Sequence, residues 1–111
     1  LATQINIESS WIDNSDSIYP RVVTLSVEFD LTFVYKTAFY ETIGEYMRDH
    51  IQYILSDDLG IEIDTDYIFD YNHNLDMHDS KWKIRPDSEL QFMLKLRDEQ
   101  HFTMMKLHYN N

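Results

Sequence analysis

"RVVTLSVEFDLTFVYK", residues 21–36, decides the fold. Val23, Leu25, Val27, Phe29, Leu31, Phe33 and Tyr35 fall on one side of an extended chain. Thr24, Ser26, Glu28, Asp30 and Thr32 make up most of the other. A period of two held over so many residues predicts a strand with one face buried. β-branched and aromatic residues dominate it, in keeping with strand preference. Its length predicts strong twist, a bend or a bulge.

Reading outward, Gln4–Ile12 offers Ile5, Ile7 and Trp11 for burial and is the expected partner strand. Between the two, "DNSDS" (residues 13–17) is rich in turn formers and predicts the hairpin loop, with Pro20 leading into the second strand. Downstream, Thr37 is placed to cap a helix. Phe39, Ile43, Met47 with Tyr46, Ile51 or His50, and Ile54 recur at spacings of three and four, so one stripe of that helix is apolar. Gly44 falls inside the helix. Gly60 is suited to stop it in the left-handed conformation, with Ile61 folding back on the last turn.

After the helix the pattern weakens. Ile61–Asp64 and Trp82–Arg85 are candidate short strands, and Asp66–Tyr71 fits a strand or a single helical turn. Leu90, Phe92, Leu94 and Leu96 alternate with polar residues, "RDEQH" (residues 97–101) turns the chain, and Phe102–Tyr109 is expected to return as a strand. The expected fold is one α+β domain over residues 1–111. It has two layers: a mostly antiparallel sheet of four to five strands and one main amphipathic helix, in the order β-β-α-β-β-β. β-grasp and ferredoxin-like topologies both lie near this pattern.

Composition excludes several functions. The chain has no cysteine, which removes disulfides, thiolate metal sites and cysteine nucleophiles. No apolar run is long enough for a membrane span, so no membrane partner is expected, and a cytoplasmic location (of a host cell if the protein is viral) fits. Two glycines cannot build a phosphate-cradling loop, and no nucleophile elbow or metalloprotease motif is present. An enzyme is therefore not expected. Neither is a cofactor. "DYNHNLDMHDSK" (residues 70–81) spaces acids and amides like a calcium loop, but Leu75 replaces the turn glycine and Lys81 stands where the last carboxylate ligand belongs. His73 and His78 add imidazoles at no compact ligand spacing, and no metal is expected there.

Charge is the informative feature. The formal net charge is −11. Residues 1–80 carry 16 acids against three Lys/Arg, and residues 81–111 carry four against six. From Asp57 to Asp79 there is no Lys or Arg, while Asp57, Asp58, Glu62, Asp64, Asp66, Asp70, Asp76 and Asp79 are interleaved with Tyr67, Phe69 and Tyr71. Such a chain repels phosphate backbones and attracts cations, so direct nucleic-acid binding is not expected. Exposed Tyr beside carboxylates suits a partner rich in Arg and Lys. Packing of these aromatics into the core is the competing expectation.

The reading is a protein-binding module. Its expected site is Asp57, Asp58, Glu62, Asp64, Asp66, Tyr67, Asp70, Tyr71, Asp76 and Asp79. Its expected partner is a basic nucleic-acid-binding protein or nuclease, whose groove the carboxylates enter in place of phosphates. Small phage proteins that act against restriction or CRISPR systems are similar in size and composition, a likeness that covers no motif. A homodimer is compatible with this reading. The alternative is a structural subunit of a virion or tail that pairs through sheet edges.

Overall fold

A computed structural model of the chain describes residues 4–28, 43–70 and 89–109, with side chains of residues 43–47, 89 and 90 set aside. The elements are β1 (Gln4–Ile12), β2 (Arg21–Glu28), α1 (Ile43–Leu59), β3 (Tyr67–Phe69), β4 (Glu89–Leu96) and α2 (Glu99–Tyr109). Among the described residues the strands form one antiparallel sheet in the order β1-β2-β4-β3. The α+β class and the first hairpin agree with the sequence pattern. The continuation of the long strand beyond Glu28, the Thr37 cap and the Trp82–Arg85 strand lie outside the described residues.

The expected order β-β-α-β-β-β is corrected at its end. Residues 99–109 are a helix and not a returning strand, so the described order is β-β-α-β-β-α with two helices. The reason is local. Asp98 accepts the Gln100 amide proton on Oδ1 at 2.9 Å and so caps the helix. Glu99 lies in the first turn and Lys106 and His108 in the last, each sign matched to the helix dipole. Phe102, Met105 and Tyr109 then fall on one stripe; the first two are buried and the third packs against the core.

α1 ends as the sequence predicts. Gly60 has φ of +68° and donates its amide proton to the Ser56 carbonyl at 3.0 Å, and Ile61 turns back into the core. Among the described side chains the expected stripe holds at Ile51, and Leu55 joins it. Ile51 and Leu55 are fully buried, while Ile54 is only partly so. One core holds the sheet face of Val23, Leu25, Val27, Phe92 and Leu94 together with Ile51 and Leu55 from α1 and Phe102 and Met105 from α2.

Two further expectations change. β2 is buried on both faces, because Val22, Thr24 and Ser26 are buried as well as Val23, Leu25 and Val27. β2 is an inner strand, and side chains from β4 reach across it to β1 and its loop. Gln91 donates to Glu8 at 2.7 Å, and Lys95 reaches Asp13 and Asp16. In β1 the register shifts between Ile7 and Ser9 and leaves Glu8 as an extra residue. That bulge reverses the alternation. Ile5 and Ile7 point to the core side, but Trp11 pairs with Val22 on the other face and stays 42% exposed.

Candidate functional site

Pairing places four strand ends in one row. Ile12 is opposite Arg21, Arg21 opposite Leu96, and Leu96 opposite Tyr67. Just beyond this row lie the β1–β2 loop, the connection from α1 to β3, and the short link from β4 into α2. These segments carry seven acids (Asp13, Asp16, Glu62, Asp64, Asp66, Asp98 and Glu99). Register therefore gathers acids that are far apart in sequence into one rim.

Two cations of this end, Lys95 and Arg21, are committed to some of the acids and not to others; the third, Arg97, is exposed and among the described residues makes no ion pair. Lys95 Nζ lies 3.1 Å from Asp13 Oδ2 and 2.7 Å from Asp16 Oδ2. The Ser15 hydroxyl and amide, then Lys95, hold the Asp13 carboxyl down to about 2. Lys95 first, then the Tyr19 amide, lower that of Asp16, and Lys95 is itself raised, chiefly by Asp16. These acids fold the loop: Asp13 accepts from both groups of Ser15, and Asp16 accepts the amide protons of Ile18 and Tyr19. Arg21 makes a bidentate pair with Glu99, with Nε to Oε2 at 3.0 Å, and lies over the Phe102 ring at 4.5 Å.

The α1–β3 connection is different. Asp66 and Glu62 close it reciprocally. The Glu62 amide donates to Asp66 Oδ2 at 2.9 Å, and the Asp66 amide donates to the Glu62 carbonyl at 2.8 Å. Asp64 sits at φ +67°, a left-handed conformation that Asp tolerates better than most side chains. Glu62 accepts from the Ser56 hydroxyl at 2.7 Å. The Tyr19 hydroxyl donates to the Asp64 carbonyl at 3.0 Å and ties this turn to the β1–β2 loop. Among the described residues no Lys or Arg lies within ion-pair distance of Glu62, Asp64 or Asp66, nor of exposed Asp57 in the last turn of α1. That turn holds no basic residue, so Asp57 and Asp58 add to the negative end of the helix dipole.

The expected site therefore divides. Asp57, Glu62, Asp64 and Asp66 lie along one short stretch of surface. Asp58 turns toward α2, where it accepts the Tyr109 hydroxyl proton at 2.8 Å and lies 3.5 Å from His108 Nε2. Burial, then Asp58, pushes the Tyr109 hydroxyl well above its ordinary value. Asp70 is half-buried after β3, its amide donating to the Met93 carbonyl at 2.8 Å. Tyr71, Asp76 and Asp79, with most of the calcium-like stretch, lie outside the described residues.

Tyr67 is a correction. It is fully buried, with its ring edge-on to Phe69 at 5.8 Å, and Phe69 packs against Phe92. The pair fixes the turn to the core and is no surface anchor. Sequence reading missed Asp13 and Asp16 as members of the same rim and Lys95 as their counter-ion. The only hint was the cluster of turn-forming acids in "DNSDS". Among the described residues no three His, Asp or Glu converge on one point in the manner of a metal site. Comparison of the chain with protein-family models, curated proteins and solved structures finds no match in any of the three.

Proposed function

We propose that the protein is a binding module, not an enzyme, and that it captures a basic protein by offering carboxylates where that partner otherwise holds phosphates. One observation carries the reading. Among the described residues Asp57, Glu62, Asp64 and Asp66 make no ion pair: the nearby Lys95 and Arg21 are committed to other acids, and exposed Arg97, whose amide donates to the Asp66 carbonyl, is not within ion-pair distance of them. Glu62, Asp64 and Asp66 share one short turn and Asp57 lies in the last helical turn before it, so a partner meets neighbouring negative charges, which act together over a screening length of about 8 Å at physiological ionic strength. The partner class is a nucleic-acid-binding protein or nuclease with a Lys/Arg-lined groove. Phage-type inhibition of a restriction or CRISPR nuclease is the specific form we favour.

The test uses isosteric neutralisation, Asp57→Asn, Glu62→Gln, Asp64→Asn and Asp66→Asn together, which keeps every hydrogen-bond acceptor named above. With a purified basic nuclease captured by the protein, the wild type displaces labelled duplex or RNA, and its affinity falls steeply with salt. The quadruple variant loses about 100-fold or more in affinity and most of the salt dependence while unfolding at the same denaturant concentration. Wild-type affinity in that variant would overturn the reading.

The alternative, a structural subunit joined through sheet edges, draws on β1, which is nine residues long and outermost among the described strands. The bulge at Glu8 weighs against it, because a bulge twists an edge away from strand addition. A stable ring or filament in light scattering would favour the subunit.

A further inference from the structure

Trp11, Ile12 and Ile18 stand exposed at one end of the β1–β2 hairpin, and Ile18, at 58%, is the most exposed of them. An exposed isoleucine is ordinary by itself. What sets this one apart is the backbone that carries it. Asp16 Oδ1 accepts the amide protons of Ile18 and Tyr19 at 3.0 and 2.8 Å, while Asp16 Oδ2 is held by Lys95 of β4. On the other side the Tyr19 hydroxyl donates to the Asp64 carbonyl. Ile18 thus stands between two tethers, one to β4 and one to the α1–β3 turn. Its backbone is fixed, yet its side chain is left in solvent. A side chain on a fixed backbone loses less freedom when a partner covers it, so more of its burial appears as affinity.

Charge decides what can cover it. The Tyr19 tether sets Ile18 beside the turn of Glu62, Asp64 and Asp66, and among the described residues none of these acids makes an ion pair. A second copy packed here would bring two chains of net charge −11 together at an acidic turn. An anionic lipid surface is repelled in the same way. A cationic protein surface is attracted, and it can cover Ile18 only if it offers an apolar pocket next to its charges.

We infer that Ile18 is the apolar anchor beside the acidic turn, and that the partner it fits is a basic protein surface with large apolar side chains among its arginines or lysines. The inference rests on the proposed capture of a basic protein and deepens it. The carboxylates bring the partner in, and Ile18 adds a contact that salt does not screen. A partner that is merely cationic gains nothing from Ile18, so this residue sorts basic partners by their apolar content.

Fluorescence anisotropy of the full chain with two labelled peptides tests it, one a repeat of Arg-Arg-Phe and the other the same repeat with Gly in place of Phe. The wild type binds the Phe peptide about tenfold more tightly than the Gly peptide. Both affinities fall as salt rises, and the ratio between them persists. Ile18→Ser keeps the wild-type melting curve and loses the preference, and Ile18→Leu retains it. Equal wild-type affinity for the two peptides would overturn the inference, as would a preference that survives in Ile18→Ser. Either result leaves the reading of the charges standing. Sedimentation that shows a wild-type dimer dissolved by Ile18→Ser would assign the patch to a second copy and overturn the inference as well. Failure of the proposed function reads differently: Glu62→Gln, Asp64→Asn and Asp66→Asn together would then leave both peptide affinities and their salt dependence unchanged.

Discussion

The β1–β2 loop and the α1–β3 turn lie side by side and are joined by the Tyr19–Asp64 hydrogen bond, yet their acids do opposite work. In the loop, Asp13 and Asp16 accept backbone and side-chain protons and share Lys95. Their charge is spent within the molecule. In the turn, Asp66 closes the backbone and burial on either side holds the segment, through Ile61 before it and Tyr67 and Phe69 after it. Its charge is left facing outward. Charge held by a cation builds structure, and charge placed on a segment anchored by hydrophobic burial is available to a partner.

The strongest way to break this comparison is to remove the turn's anchor. Tyr67→Ala leaves a cavity where a fully buried ring stood, and is expected to cost about 3–5 kcal/mol in denaturant unfolding. A loss below about 1 kcal/mol would mean that something other than burial holds the turn. Next comes Lys95→Met, which leaves Asp13 and Asp16 facing each other without a cation. It should lower the melting temperature, and lower it further at low salt, where the exposed repulsion is least screened. Equal loss at all salt concentrations would show that Lys95 acts by packing alone.

Acid sharpens the same contrast. Asp13 titrates lower in the folded chain than in the unfolded one, and Asp16 shifts in the same direction. Their stabilisation is therefore complete above the unfolded value near 4 and is lost as pH falls through about 2 for Asp13. Lys95→Met should shrink this acid limb through Asp16, whose first cause is Lys95, while the Ser15 hydrogen bonds keep most of the Asp13 part; an unchanged limb would assign the shifts to the hydrogen bonds within the loop. The smallest expected effect is at Asp64. Asp64→Gly relieves the left-handed backbone, but glycine gains freedom in the unfolded chain, so the net change stays within about 0.5 kcal/mol. Asp64→Val, a β-branched residue at positive φ, costs about 1–2 kcal/mol. Equal midpoints for the two would remove backbone conformation as the reason for an Asp there.

Legibility followed interaction range. The β1–β2 hairpin, the face of Val23, Leu25 and Val27, and the Gly60 stop were readable because alternation, turn chemistry and capping act within a few residues. The last helix was equally local, and its marks were present in Asp98, Glu99 and the 102–105–109 spacing, but the weak alternation of "FTMMKLHY" outweighed them. The acidic stretch was visible as composition. What composition could not separate was Tyr67, a core residue, from the Asp64 and Asp66 beside it, because a hydrophobic residue between acids fits an exposed anchor and a buried one alike.

Residue pattern and composition alone gave the α+β class, the excess of negative charge in the first 80 residues and the lack of thiols. Which of the described acids pair with a cation depended on the folded chain. Pairing register brought Lys95 across β2 to Asp13 and Asp16, a bulge at Glu8 turned Trp11 outward, and the aligned strand ends set Asp64 beside Tyr19. Each of these depends on contacts between residues dozens of positions apart. No pattern along a single chain encodes such contacts until the sheet has formed.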